Sequence, residues 1–157
     1  MLSKYFRELT QKWADRKTLK QGVKALNDAI LKDDGAAVKD GMAQIKGLSC
    51  YHRDTYDRLL NNAIVVDFEQ AFDVLFSEID NPNHLLSSSF DAGPDGPDSI
   101  EEHTLLYTAV TSKSAKIALK IANDERTNIR KCGYSCYVGE KGVETTQDRL
   151  PLALARE

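Results

Sequence analysis

Four times along the chain a Leu is followed three residues later by an Ala: Leu26 and Ala29, Leu60 and Ala63, Leu106 and Ala109, Leu152 and Ala155. In the first three copies an apolar pair begins eight residues after the Ala, at Ala37-Val38, Ala71-Phe72 and Ile117-Ala118. From Ala to Ala the steps are 34, 46 and 46 residues. A unit of about 33 residues therefore recurs, with roughly a dozen extra residues in its second and third turns. A repeat this short cannot bury its apolar face alone, so the copies must stack, and a stack offers a surface rather than a deep pocket.

Each copy reads as two short helices. Leu26, Ala29 and Ile30 have the i, i+3, i+4 spacing of one helical face, as do Leu60, Ala63, Ile64 and Leu106, Ala109, Val110. Ala71, Phe72, Leu75, Phe76, Ile79 and Ile117, Ala118, Ile121, Ala122 form wider stripes on the second helices. The segments between, Lys32-Asp33-Asp34-Gly35, Val66-Asp67 and Ser112-Lys113-Ser114, allow only tight turns, which makes the two helices antiparallel neighbours. The small Ala lets them approach closely.

These residues resemble the ankyrin-repeat family, whose consensus opens T-P-L-H-x-A-A and continues I-V-x-x-L-L. The copies here read Lys24-Ala25-Leu26-Asn27-Asp28-Ala29-Ile30, Arg58-Leu59-Leu60-Asn61-Asn62-Ala63-Ile64, Thr104-Leu105-Leu106-Tyr107-Thr108-Ala109-Val110 and Leu150-Pro151-Leu152-Ala153-Leu154-Ala155-Arg156. Leu and Ala match everywhere, the Thr only at Thr104 and the Pro only at Pro151. Asp33, Asp67 and Lys113 stand where the family has its turn Gly, and Ile79-Asp80-Asn81-Pro82-Asn83 echoes its closing G-A-D-x-N. The resemblance implies an all-α solenoid of stacked helical hairpins over residues 24–157, in copies at about 24–53, 54–100, 101–146 and a partial 147–157. A generic helical bundle is the plainer alternative. The fourth copy stops at Glu157 inside its first helix, so its partner helix is expected from a longer chain or from another one.

Residues 1–23 read as a separate N-terminal helix, with Leu2, Tyr5, Phe6, Leu9 and Trp13 at helical spacing among Lys4, Arg7, Lys12 and Arg16. Three roles fit it: a cap whose Trp13 packs on the first hairpin, a basic amphipathic helix lying on an anionic membrane, or a partner-binding helix. The expansions differ from each other. Asn81-Pro82-Asn83, Ser87-Ser88-Ser89 and Gly93-Pro94-Asp95-Gly96-Pro97 favour turns over helix and strand, which predicts a mobile excursion over residues 81–99. Cys132 to Val138, the Gly139-Glu140-Lys141-Gly142 turn and Val143 to Thr146 predict a β-hairpin finger.

Composition decides what the chain is not. With 41% apolar and 29% charged residues an ordinary globular chain of one domain is expected; the sequence holds no apolar run near 20 residues, and its first residues lack the apolar stretch expected of a secretory signal. Cys50, Cys132 and Cys136 are too few and odd in number for a disulfide scaffold, so a reducing, cytoplasmic home is expected. Degenerate copies of this kind resemble those of bacterial effectors, for which that home is a host cytosol. The net charge of −3 hides an uneven distribution: residues 1–24 hold seven basic and two acidic side chains, while Asp67 to Glu102 hold ten acidic ones and no Lys or Arg. The acidic run predicts a partner protein with a basic surface and disfavours nucleic acid.

Chemical motifs are sparse. Cys132 and Cys136 have no second Cys or His pair beside them for zinc, and no phosphate-binding loop is present. Cys50 and His52 are the one arrangement that an enzyme would use, as nucleophile and base. The resemblance implies instead a protein-binding module, with no cofactor and no catalysis, that contacts its partner through Asn62, Val65, Thr108 and Thr111 on the first helices and Tyr134, Tyr137 and Lys141 on the finger.

Overall fold

A computed structural model describes residues 2–90, 98–131, 134–139 and 142–147. The chain divides into two compact units, Met1–Ala63 with Phe68–Glu78, and Ile64–Asp67 with Ile79–Glu157. The first unit holds helices α1 (Leu2–Ile30), α2 (Gly35–Lys46), most of α3 (Arg53–Val65) and α4 (Glu69–Phe76). The second holds strands β1 (Leu85–Phe90) and β2 (Asp98–Thr104), helices α5 (Leu105–Thr111) and α6 (Ala115–Asn123), and strands β3 (Tyr134–Gly139) and β4 (Gly142–Gln147). The molecule is mostly helical, as expected.

In the first unit α1 and α2 pack through two reciprocal glycines. A Cβ on Gly22 would fall 2.5 Å from Ile45 Cγ2, and one on Gly41 would fall 2.7 Å from Leu26 Cδ2, so any larger residue at either position would have to push the facing side chain aside. Leu26, Ile30, Val38, Met42, Ile45, Leu59, Leu60, Phe72 and Leu75 are buried in this unit. The helices start where side-chain oxygens meet their unpaired N–H groups. Asp34 Oδ1 accepts from Ala37 N at 3.0 Å to open α2. At α4 the acceptor comes from an earlier turn, with Ala71 N donating to Asp33 Oδ1 at 2.9 Å. Tyr56 Oη donates to the Leu75 carbonyl at 2.6 Å and ties α3 to α4. Burial, and then the Glu78 carboxylate, push the Tyr56 hydroxyl well above the ordinary tyrosine range.

The second unit repeats the device. Ile117 N donates to Asp67 Oδ1 at 3.2 Å, and the buried Ser114 hydroxyl donates to the Ile64 carbonyl at 2.5 Å, fixing the start of α6. Among the described residues, Asp33, Asp67 and Lys113 are the non-glycine residues with positive φ, at 51°, 56° and 61°. They are also the three positions that the repeat spacing assigns to the inter-helix turn. Leu26, Ala29, Leu60, Ala63, Leu106 and Ala109 are all buried, so the Leu and Ala of the first three copies face the core.

Three expectations change. α1 runs unbroken from Leu2 to Ile30, so residues 1–23 are not a separate capping helix, and Trp13 is exposed rather than packed on the first hairpin. The unit expected to begin at residue 24 starts inside this helix, and the boundary expected between 100 and 101 falls inside β2. The segment 81–99 is not a mere excursion. Its described ends form β1 and the start of β2, paired antiparallel from Leu85 opposite Thr104 to Phe90 opposite Ser99, while residues 91–97 lie outside the described residues. The polar serine run hid this strand because its support comes from pairing, which local propensity does not report.

The predicted hairpin is present as β3 and β4, with Tyr134 opposite Gln147 and Gly139 opposite Gly142. It is not isolated. β3 also pairs with β2, Ile100 opposite Cys136, which completes a four-stranded antiparallel sheet in the order β1-β2-β3-β4. The partial fourth copy lies outside the described residues from position 148 onward.

Candidate functional site

A cleft of about 590 Å³ opens in the first unit between α1, the segment after α2, and α3. Arg16, Leu19, Lys20, Val23 and Asn27 line it from α1; Cys50 and His52 from the segment after α2; Thr55, Arg58, Leu59 and Asn62 from α3. The helical period explains the α1 wall, since positions 16, 19, 20, 23 and 27 recur on one face. The α3 wall follows likewise from 55, 58, 59 and 62. Leu59 is buried and forms an apolar floor with the half-buried Leu19 and Val23. Arg16, Lys20 and Arg58 are exposed at the rim, and no carboxylate is among the lining residues. Such a cleft attracts anionic groups, and its apolar floor suits an aliphatic or aromatic neighbour of the anion.

Two of the walls are joined by a latch between the sequence neighbours of Arg16 and Cys50. Asp15 Oδ2 accepts from the Ser49 hydroxyl at 2.5 Å and from Ser49 N at 3.3 Å, while Oδ1 accepts from Gln11 Nε2 at 2.8 Å. The Ser49 hydroxyl, then the Gln11 amide, hold the Asp15 carboxyl below its usual range. This ties α1 to the segment that carries Cys50 and His52. Across the walls, Asn62 Nδ2 donates to Asn27 Oδ1 at 2.8 Å.

The residues expected to bind a partner are distributed over several elements. Asn62 is exposed and lines the cleft; Val65 is exposed near the end of α3. Thr108 and Thr111, at the equivalent positions of α5, turn their hydroxyls onto their own helix, donating to the carbonyls of Thr104 at 3.1 Å and Tyr107 at 3.0 Å. They can offer a partner only methyl groups and lone pairs. Tyr134 and Tyr137 stand on β3 opposite Glu102 and Ser99 of β2, and Lys141 lies outside the described residues. The acidic run is partly engaged within the fold: Asp67 caps α6, and Glu78 pairs with Lys46 at 2.7 Å.

Cys50 and His52 do share the cleft, with Cys50 half-buried as a free thiol and His52 exposed. Among the described residues no group of three or more His, Cys, Asp or Glu side chains could hold a metal ion. Sequence reasoning missed the cations Arg16, Lys20 and Arg58. Their signal was present in the i, i+4 spacing of Arg16 and Lys20 on the face that later carries Val23 and Asn27. Among the described residues no helix is long and apolar enough to cross a membrane. No protein-family model, curated protein or solved structure matches the chain.

Proposed function

We propose that this chain is a protein-interaction module of helical hairpins, resembling ankyrin repeats, that recognises a partner protein through the exposed face of its first helices. The observation that carries the reading is the cleft, with three exposed basic side chains at its rim, an apolar floor and no carboxylate among its lining residues. Its complement is an extended acidic segment of the partner, an Asp or Glu beside an apolar side chain. Arg16 and Arg58 can hold such carboxylates bidentately. A basic surface on the partner, facing the acidic side chains between Asp67 and Glu102, is a second contact of the same kind.

The test is binding of an array of acidic peptides to the full chain and to Arg16→Glu, Lys20→Glu, Arg58→Glu combined. The reversal should weaken the best peptide at least tenfold, and binding to the unmodified chain should fall as salt is raised. Undiminished binding to the triple variant would remove the cleft from recognition. The co-location of Cys50 and His52 supports a second reading, a cysteine-dependent enzyme. It requires Cys50 to alkylate at neutral pH far faster than an ordinary thiol, and His52→Ala to abolish that excess.

A further inference from the structure

The N-terminal half of α1 carries four large, exposed apolar side chains. Tyr5 is 64%, Phe6 70%, Leu9 48% and Trp13 71% exposed. Every residue from Tyr5 to Ala14 is exposed, so this stretch of helix stands clear of the first unit's core on all sides. By the 3.6-residue period the four side chains share one face. Lys12, Arg16 and Lys17 border that face, and Lys20 continues it along the helix. The two acidic residues of the segment, Glu8 and Asp15, fall away from it, and Asp15 is turned into Ser49.

We infer that this face docks on an anionic lipid bilayer, with the aromatic stripe in the headgroup region and the bordering cations on lipid phosphates and carboxylates. Charge complementarity selects this occupant. Residues 1–24 carry seven basic against two acidic side chains, so a second copy would bring like charge against like. Area argues the same way. With about 150–250 Å² per aromatic side chain, the stripe exposes roughly 450 Å², well short of the roughly 800 Å² that each partner gives to a stable dimer. The shape of the stripe is the third consideration. A protein partner gains most where an anchor enters a pocket, and a lone helix exposed all round supplies no pocket wall. A bilayer needs none, because it takes up the apolar side of a convex helix while the cations stay at the headgroups. This inference does not depend on the acidic-peptide reading of the cleft.

The chain supplies its own probe, because Trp13 is its only tryptophan. The full-length protein is titrated with vesicles of phosphatidylcholine alone and of phosphatidylcholine with roughly one-third phosphatidylserine. The expected result is a blue shift of Trp13 emission and protection from aqueous quenchers with the anionic vesicles only, reversed by high salt. Phe6→Ser with Leu9→Ser should weaken that binding at least tenfold. Lys12→Glu with Lys17→Glu, neither of which lines the cleft, should do the same by about tenfold or more. In vesicle flotation Trp13→Ser should reproduce the loss, with the circular dichroism spectrum of each variant unchanged. Absence of a shift, equal binding to neutral vesicles, or a concentration-dependent dimer that Trp13→Ser dissolves would each overturn the inference. Loss of peptide binding in Arg58→Glu, whose residue lies on α3 and not on the stripe, with the Trp13 shift retained would separate the two sites.

Discussion

At Asp33, Asp67 and Lys113 one turn is built three times in a conformation that costs an L-residue about 1–2 kcal/mol. Asp33 and Asp67 recover some of this by capping α4 and α6. Asp67→Asn keeps an oxygen at the same place and should be nearly silent, whereas Asp67→Ala keeps the strain, loses the cap, and should cost about 1–3 kcal/mol. Lys113→Gly relieves the same strain and should raise stability by about 0–1 kcal/mol; thermal melts of the three variants check the set. A second carboxylate gives a pH signature. Asp124 accepts from Arg126 Nη2 at 2.7 Å and from Arg126 Nε and N at 2.9 Å, and these bonds lower its carboxyl to about 2. The folded-state value is the depressed one, so the stabilisation is complete above about pH 4, the unfolded value, and is lost as pH falls toward about 2. Arg126 also donates to the Ile79 carbonyl at 3.0 Å. Protection from hydrogen exchange in residues 124–128, taken relative to the unstructured chain at the same pH, should therefore fall across that window, and constant protection there would contradict the clasp.

Elements whose apolar residues recur at 3.6-residue spacing were legible from the chain. Leu26, Leu60, Leu106 and their alanines are buried where the spacing puts them, and the turns fall where the apolar pattern breaks. Three features were not legible. β1 is a serine run held by pairing with β2, and α1 is continuous because nothing between Trp13 and Leu26 interrupts a helix, although the apolar face changes side along it. The close approach of α1 and α2 depends on Gly22 and Gly41, two mid-helix glycines whose only sequence signal is that Gly is poor helix-forming material. Gly22→Ala tests that approach. The gain in helix propensity is about 1 kcal/mol, but overpacking against the buried Ile45 costs about 1–3 kcal/mol, so the variant should be destabilised. In an Ile45→Ala background the obstruction is gone and the same change should stabilise. A double-mutant cycle without that change of sign would rule out the contact.

For the whole molecule, the repeat spacing located the helix pairs and the Gly-flanked turn located the β3-β4 hairpin, while β1 and the pairing of β2 with β3 carried no local signal. Of the cleft, Asn62, Cys50 and His52 were named from the chain, and its cations were not. The sheet joins strands that are far apart in sequence: β2 ends at Thr104 and its neighbour β3 begins at Tyr134, with α5 and α6 between them. At about 5–20 residues per second, a ribosome completes β2 some 2–6 s before β3 is made. For that interval the newborn chain holds a strand edge with its hydrogen-bonding groups unclaimed, the kind of edge on which other chains add. A chain terminated after Lys131 would hold that edge open permanently, and should scatter light and sediment as multimers at concentrations where the full chain stays dispersed. The tyrosine-bearing hairpin, made later, thus covers the β2 edge that the shorter chain leaves open.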